Sequence, residues 1–221
     1  MIKHGLRSVM LAVLLALGAS AFSAEGWEEG VHYFRLAEPQ AVEDPSKIEV
    51  KEYFWYGCGH CYHFEPLVKA WKETLPEDVA LVQTPAVWNR MMQLHAHLFY
   101  AAEALGVLSV LHDPFFHALQ EERNPLTDPT EIVKRFKDAG APEAEIMATI
   151  ESPEVTAKVR AAAMAMQAAE LQGVPGLVVA GQFRIGAAEA GSQEAMLEIA
   201  DFLVAQERLA RANAAREDCE K

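Results

Sequence analysis

The chain has 221 residues, about half of them apolar, and a formal net charge of −13. This length suits one large domain or a domain with an insertion, and the apolar fraction is enough for a substantial core. The strong negative charge argues against nucleic acid or an anionic membrane surface as a partner.

The N-terminal stretch is typical of a secretory signal peptide. Lys3 and Arg7 precede an apolar run that is too short to span a bilayer, and small residues follow up to Ala24. We predict a signal peptide over residues 1–24. Its removal takes away Lys3 and Arg7 and no acid, so the formal charge of −13 becomes −15. Export would place the cysteines of the chain in an oxidising compartment.

A predicted strand and a predicted helix flank two cysteines. The run 48–54 is typical of a buried strand, and residues 62–75 carry apolar side chains at helical spacing. Cys58 and Cys61 stand between them. On the first turn of a helix this spacing puts both thiols on one face, within reach of a disulfide. The pair therefore predicts dithiol chemistry.

Cys58 is expected to be the reactive thiol. It lies at the predicted helix start, where unpaired N–H groups and the helix dipole favour a thiolate. His60 can add positive charge or a hydrogen bond. Gly57 and Gly59 are expected to allow a tight turn that leaves the sulfur uncovered. Cys61 is then the resolving thiol.

Glu52 lies on the predicted strand, six residues before Cys58. A carboxyl group beneath the dithiol can exchange protons with the buried thiol Cys61. The alternative is a solvated acid on the outward face of the strand, because Glu49 and Lys51 occur there too. The pattern alone leaves both interpretations open.

Two other uses of the cysteine pair also stay open. A zinc ion held by Cys58, Cys61 and His63 would need a fourth ligand, and no second pair follows at the usual spacing. A purely structural disulfide would close a very small loop, which adds little chain-entropy stabilisation. We expect no cofactor.

The middle of the chain is predicted to be helical. A short strand is predicted over 79–83, and helices follow one another from Trp88 to about Gly173. Strands then return as a hairpin over 177–185.

A last helix is predicted from Ser192, and the charged, Ala-rich end is expected to fray. Cys219 is expected to lie in solvent there, with an intermolecular disulfide as the alternative.

With these features the sequence resembles the thioredoxin-fold oxidoreductases, and within them the DsbA family of thiol:disulfide interchange proteins. The resemblance covers residues 26–210. It is carried by Glu52, by the Phe54-Trp55-Tyr56-Gly57-Cys58-Gly59-His60-Cys61 box and by Gly173-Val174-Pro175.

The resemblance implies an α/β thioredoxin fold with an inserted all-helical domain. The thioredoxin-like domain would comprise residues 25–87 and 172–210, the inserted domain residues 88–171, and a frayed tail residues 211–221.

For the site, the family implies that Cys58 is the exposed nucleophile, Cys61 the resolving thiol and Glu52 the buried acid. It also implies a cis peptide bond before Pro175, in a loop with Val174 that offers backbone hydrogen bonds to an extended substrate. The aromatic residues near the site are expected to bind unfolded chains weakly and broadly; they are Trp55, Tyr56 and Tyr62.

The implied function is that of a periplasmic dithiol oxidase that hands its disulfide to newly exported proteins with free thiols. A quinone-linked inner-membrane protein of the DsbB type would reoxidise it, and we expect a monomer. An isomerase or reductase using the same dithiol and a chaperone-like binder remain alternatives. One departure is Gly59-His60 where the family usually has Pro-His, which favours a less oxidising potential.

Overall fold

The structure is a computed structural model that describes residues 26–219. The predicted signal peptide over 1–24 lies outside the described residues. Within residues 26–219, no helix combines the length and the apolar character that a membrane crossing requires.

A mixed sheet of five strands lies at the centre of the described chain. The spatial order is β1-β5-β4-β2-β3, with β2 and β3 parallel and the other neighbours antiparallel. Every residue of β2 is buried, because this strand has neighbours on both edges and cover on both faces. The strands are Phe34–Arg35, Ile48–Phe54, Val79–Pro85, Gly176–Val179 and Phe183–Gly186.

Eight helices, α1 to α8, surround the sheet in this part of the chain. Five of them, α2 to α6, lie between β3 and β4, where the sequence predicts successive helices. The helices are Gly59–Lys72, Arg90–Ala104, Leu108–Gln120, Pro129–Asp138, Glu143–Ile150, Pro153–Ala168, Ala187–Ala190 and Gln193–Cys219.

Side chains alternate between the two faces of β2. Val50 belongs to an apolar cluster with residues of α1 and α8, such as Phe64 and Ile199. Tyr53 belongs to a second cluster with Met92 of α2 and Met166 of α6. The strand that leads to the cysteines is thus fixed from both sides.

The helices α2 to α6 share their core with the segment that carries the cysteines. Phe54, Tyr56 and Cys61 belong to the same apolar cluster as Phe99 and Phe116 of the helices. The ring centroid of Phe116 lies 5.7 Å from that of Phe54 and 4.9 Å from that of Tyr56. The helical stretch therefore supports the site directly.

Helix α1 begins at Gly59, three residues earlier than the apolar spacing predicts. The reason is that Cys58 itself is the N-cap, with its sulfur accepting the backbone N–H of Cys61. The prediction that Cys58 lies at the helix start is confirmed.

The frayed tail predicted over 211–221 is wrong for the described residues, because α8 continues to Cys219. Arg208 donates two hydrogen bonds, of 2.7 and 2.9 Å, to the carboxylate of Asp78. Arg211 pairs with Glu207 one turn earlier and also reaches the carbonyl oxygen of Pro45, at 3.1 Å. These contacts extend the helix past the core, and Cys219 is exposed with a free thiol.

The shared core predicts the effect of one truncation. Phe116→Ala should lower the free energy of unfolding by about 3–5 kcal/mol, because it leaves a cavity between α3 and the active-site segment. Val110→Ala, on the exposed side of the same helix, should change it by no more than about 0.5 kcal/mol. Urea unfolding followed by circular dichroism measures both, and equal losses would contradict the shared core.

Candidate active site

Cys58 stands between a helix N-terminus and a loop carbonyl. Its sulfur lies 3.3 Å from the backbone nitrogen of Cys61, which donates to it, and 3.3 Å from the carbonyl oxygen of Val174. The side chain is partly exposed, whereas Cys61 is buried. Both cysteines are free thiols in this structure, so the geometry is that of the reduced pair.

The surroundings of Cys58 favour the thiolate. Its pKa is lowered to about 6, first by the hydrogen bond with the Cys61 thiol and then by the backbone N–H groups of Cys61 and His60. Partial burial opposes this effect, and the positive charge of His60 makes the smallest contribution. The His60 side chain is exposed. The helix start therefore does more than the histidine to stabilise the anion.

Cys61 has the opposite environment. Burial raises its pKa far above the usual range for a thiol, and the neighbouring Cys58 sulfur and the charge of Glu52 act in the same direction. One helical turn thus holds one thiol that ionises readily and one that holds its proton.

Glu52 is fully buried, so the interpretation as a solvated surface acid is wrong. Its position on β2 is in register with Gln83 on β3, and the Gln83 amide nitrogen donates to its carboxyl group at 2.9 Å. Burial first, and then the negative charge of Glu65, raise the pKa of Glu52 to about 8, while the Gln83 hydrogen bond acts against them. Such a group can accept or give a proton near neutral pH.

Two further buried titratable residues lie near this site and are not among the residues predicted from the sequence. Glu65 on α1 is 5% exposed and His112 on α3 is 6% exposed. The sequence carries a signal for each. Glu65 follows Cys61 by four residues, on the same helix face, and His112 lies among Leu108, Leu111, Phe115 and Phe116, which mark the buried face of α3.

The loop before β4 lies beside the dithiol, as the resemblance implies. The Val174–Pro175 peptide bond is cis, which confirms that expectation. Pro175 is buried and Val174 is partly exposed. The Val174 carbonyl oxygen points at the Cys58 sulfur.

The three aromatic residues expected to contact substrates have different positions. Trp55 and Tyr62 are partly exposed. Tyr56 is 1% exposed and its hydroxyl group is hydrogen-bonded to His112 at 2.9 Å. The prediction of Tyr56 as a substrate-binding residue is therefore wrong: its ring packs between Phe115 and Phe116 in the core.

The two glycines of the motif have different reasons to be glycine. The expected tight turn is present, since the Cys58 N–H donates to the Trp55 carbonyl oxygen at 2.9 Å, but neither glycine has a positive φ angle. A Cβ atom at Gly57 would overlap the indole of Trp55, whereas one at Gly59 would lie 3.6 Å from the nearest atom, Gln120 Oε1. Close packing requires the first glycine, and space is available at the second.

These glycines form a matched pair for mutagenesis. Gly57→Ala should push the Trp55 indole from its hydrogen bond with His95 (2.9 Å) and lower the free energy of unfolding by about 1–3 kcal/mol. Gly59→Ala, at the first position of α1, should leave it unchanged or raise it by up to about 1 kcal/mol. Thermal unfolding with Trp fluorescence measures both. A larger loss in the Gly59 variant would contradict the packing argument.

Comparison with known proteins gives one family. Residues 69–197 match the model of the DSBA-like thioredoxin domain. The matched segment begins after both cysteines, so this match does not depend on the Cys-x-x-Cys motif.

Relatives extend the match over most of the chain. The thiol:disulfide interchange protein DsbA of Pseudomonas aeruginosa is 34% identical over 208 residues, which cover 93% of this chain and 99% of that protein. The DsbA of Azotobacter vinelandii is 36% identical over 200 residues, 90% of this chain and 94% of that protein.

Solved structures agree with the sequence matches. The crystal structure of Pseudomonas aeruginosa DsbA superposes with a TM-score of 0.80 at 35% identity, covering 86% of this chain and 98% of that one. The DsbA of Xylella fastidiosa gives a TM-score of 0.76 at 29% identity, over 81% of this chain and 97% of that one. The α/β fold with a helical insertion that the sequence predicts is confirmed.

Proposed function

The chain belongs to the DsbA family of thiol:disulfide oxidoreductases, and from this premise we propose that it oxidises newly exported proteins with its Cys58–Cys61 disulfide. The observation that carries the proposal is the contrast between the two thiols. Cys58 is accessible and has a pKa lowered to about 6, whereas Cys61 is buried and its pKa is raised.

The reaction begins on the oxidised pair. A substrate thiolate attacks the Cys58 sulfur, the bond between the two cysteine sulfurs breaks, and Cys61 leaves with the electron pair. A second substrate thiolate then attacks the substrate sulfur of the mixed disulfide, and Cys58 leaves as a thiolate. The substrate gains a disulfide and the enzyme takes up two electrons.

The environments of the two cysteines suit these steps. Cys58 is a good leaving group because its anion is stabilised, and a thiol of low pKa leaves faster. Cys61 becomes an anion in a buried place and needs a proton at once. Glu52, with a pKa of about 8, is mostly protonated at neutral pH and is proposed to supply that proton.

Substrate contacts are proposed for the partly exposed side chains around Cys58. The cis loop at Val174 and Pro175 would pair with an extended chain through its backbone groups. Trp55 and Tyr62 would add apolar contact with little sequence preference. His60 contributes its backbone N–H and a minor positive charge to the thiolate.

The compartment and the partner follow from the predicted signal peptide and the family. We place the enzyme in the periplasm, where exported proteins with free thiols are its substrates. Reoxidation would come from a quinone-linked inner-membrane protein of the DsbB type. That step needs Cys61 to lose its proton, for which the ionised form of Glu52 is the acceptor.

Cysteine variants test the function. Oxidised enzyme is mixed with a reduced, unfolded ribonuclease, and loss of substrate thiols is followed with time. Cys58→Ser should abolish oxidation because no disulfide can form. Cys219→Ser should keep the wild-type rate because that thiol is exposed on α8, outside the site. Oxidation by Cys58→Ser at the wild-type rate would favour a binding protein.

Equilibration of the wild-type pair with glutathione separates an oxidase from a reductase. We expect a potential clearly above the roughly −270 mV of thioredoxin. A value as low as that would contradict the oxidase function.

Glu52→Gln tests the proton donor. The variant should fold normally and release Cys61 roughly tenfold more slowly at pH 7, a modest effect because solvent protons compete with the carboxyl group. The wild-type rate should fall as pH rises through about 8, whereas the variant should lack this step. Stopped-flow fluorescence between pH 5 and 9 measures it. Glu49→Gln, which removes another buried acid from β2, is the control, and identical profiles for Glu52→Gln and the wild type would remove the role of Glu52.

A further inference from the structure

A buried polar network connects Glu52, whose charge acts on Cys61, to the helical stretch. Gln83 Nε2 donates to Glu52 at 2.9 Å and to Glu65 at 3.2 Å. One amide group thus serves two buried carboxyl groups. Two buried acids so close together cannot both ionise without a large electrostatic cost, so the network holds either a proton or a compensating cation.

His112 is placed to compensate the charge. Its Nε2 lies 3.2 Å from Glu65 Oε2, and its Nδ1 lies 2.9 Å from the Tyr56 hydroxyl oxygen. The imidazole is enclosed by the rings of Phe54, Phe99 and Phe116, with centroids 5.2 to 6.1 Å away. The helical stretch therefore places an ionisable nitrogen against an acid of α1.

Glu52 and His112, the two ends of this network, each carry a buried atom that lacks a hydrogen bond. Within residues 26–219, three buried side-chain polar atoms lack an aligned hydrogen-bond partner, and two of them are Glu52 Oε1 and His112 Nε2. A buried polar atom without a hydrogen bond costs free energy. A proton on Glu52 removes the larger cost of burying a charged carboxylate, and the carboxylate of Glu65, 3.2 Å from His112 Nε2, would offset the burial of a positive charge there.

We propose that His112 is a positioning residue that acts on the dithiol through Glu65 and Glu52. It supplies the positive charge that keeps Glu65 ionised, so that the exchangeable proton of the buried acid pair resides on Glu52. The inference rests on the proposed role of Glu52 as proton donor.

The other charged groups around His112 do not replace it. Lys69 lies 3.7 Å from Glu65, but its side chain is 45% exposed and it also pairs with Asp113 at the surface. Tyr56, from the segment after β2, meets the imidazole through its hydroxyl group. From α2 the ring in contact is that of Phe99, which is uncharged. An exposed lysine pair is worth little compared with a buried one.

Two substitutions are expected to shift the pH at which Glu52 ionises in opposite directions. Removing the Glu65 charge should lower the pH at which Glu52 ionises, because that charge raises its pKa. Removing the positive charge of His112 should raise that pH. Without that charge, loss of the Glu52 proton leaves two carboxylates with no neighbouring cation from His112. A purely structural role for either residue gives no reason for opposite shifts.

The first measurement needs no variant. In reduced wild-type enzyme labelled with ¹⁵N-histidine, both ring nitrogens of His112 should show the chemical shifts of a protonated nitrogen at pH 7. A nitrogen that lacks a proton there would overturn the proposal, whether or not any substitution folds.

The second measurement follows the Glu52 carboxyl carbon by ¹³C NMR as pH is varied. His112→Gln should move its titration about one pH unit upward, and Glu65→Gln should move it downward by a similar amount. Lys69→Gln, the control, should move it much less. No shift, or a downward shift, in a folded His112→Gln protein would overturn the proposal. These readouts do not use oxidation of a substrate, so failure of the proposed function and failure of this inference can be told apart.

Discussion

The structure depends on one interaction: the Cys58 sulfur acts both as the cap of α1 and as the reactive atom. As a cap it accepts the backbone N–H of Cys61 at the start of a fourteen-residue helix. An anion suits that position better than a neutral thiol, because the free N–H groups and the helix dipole both favour negative charge. Local helix geometry and thiol chemistry therefore reinforce each other.

The rest of the fold keeps that sulfur in place and buries its partner thiol, Cys61, whose pKa is raised. Strand β2 is covered on both faces, so the segment after it has a fixed direction. Helix α3 reaches this segment through Gln120, whose amide donates to the Tyr56 carbonyl oxygen at 2.7 Å. On the other side, the Val174 carbonyl lies against the sulfur. Stabilising the Cys58 thiolate favours the reduced pair, which makes the disulfide more oxidising.

Much of the fold can be predicted from the sequence because its signals are local. The apolar run of β2, the two cysteines after it and the helix starts at Asp128 and Ser152 depend on neighbours along the chain. The hairpin is also local, and its turn has positive φ angles at Ala180 and Gly181.

The parts that the sequence left open or wrong depend on contacts between distant residues. The charged residues of β2 left open whether both faces of the strand are covered, and the packed structure shows that they are, with Glu52 buried. Trp55 and Tyr56 are adjacent aromatic residues, yet helix α3 buries Tyr56 and leaves Trp55 partly exposed. The meeting of Glu65 and His112 joins two helices that are far apart along the chain. The reason for glycine at Gly57 is the indole of Trp55, which only its rotamer reveals.

The most direct test of this account is a titration of the thiolate. The ultraviolet absorbance of the reduced enzyme near 240 nm is recorded from pH 4 to 10 for the wild type and for Cys58→Ser. The account predicts a step near pH 6 in the wild type, which the variant lacks. A single step at the ordinary cysteine value of about 8.5, or a step near pH 6 that persists without Cys58, would contradict it.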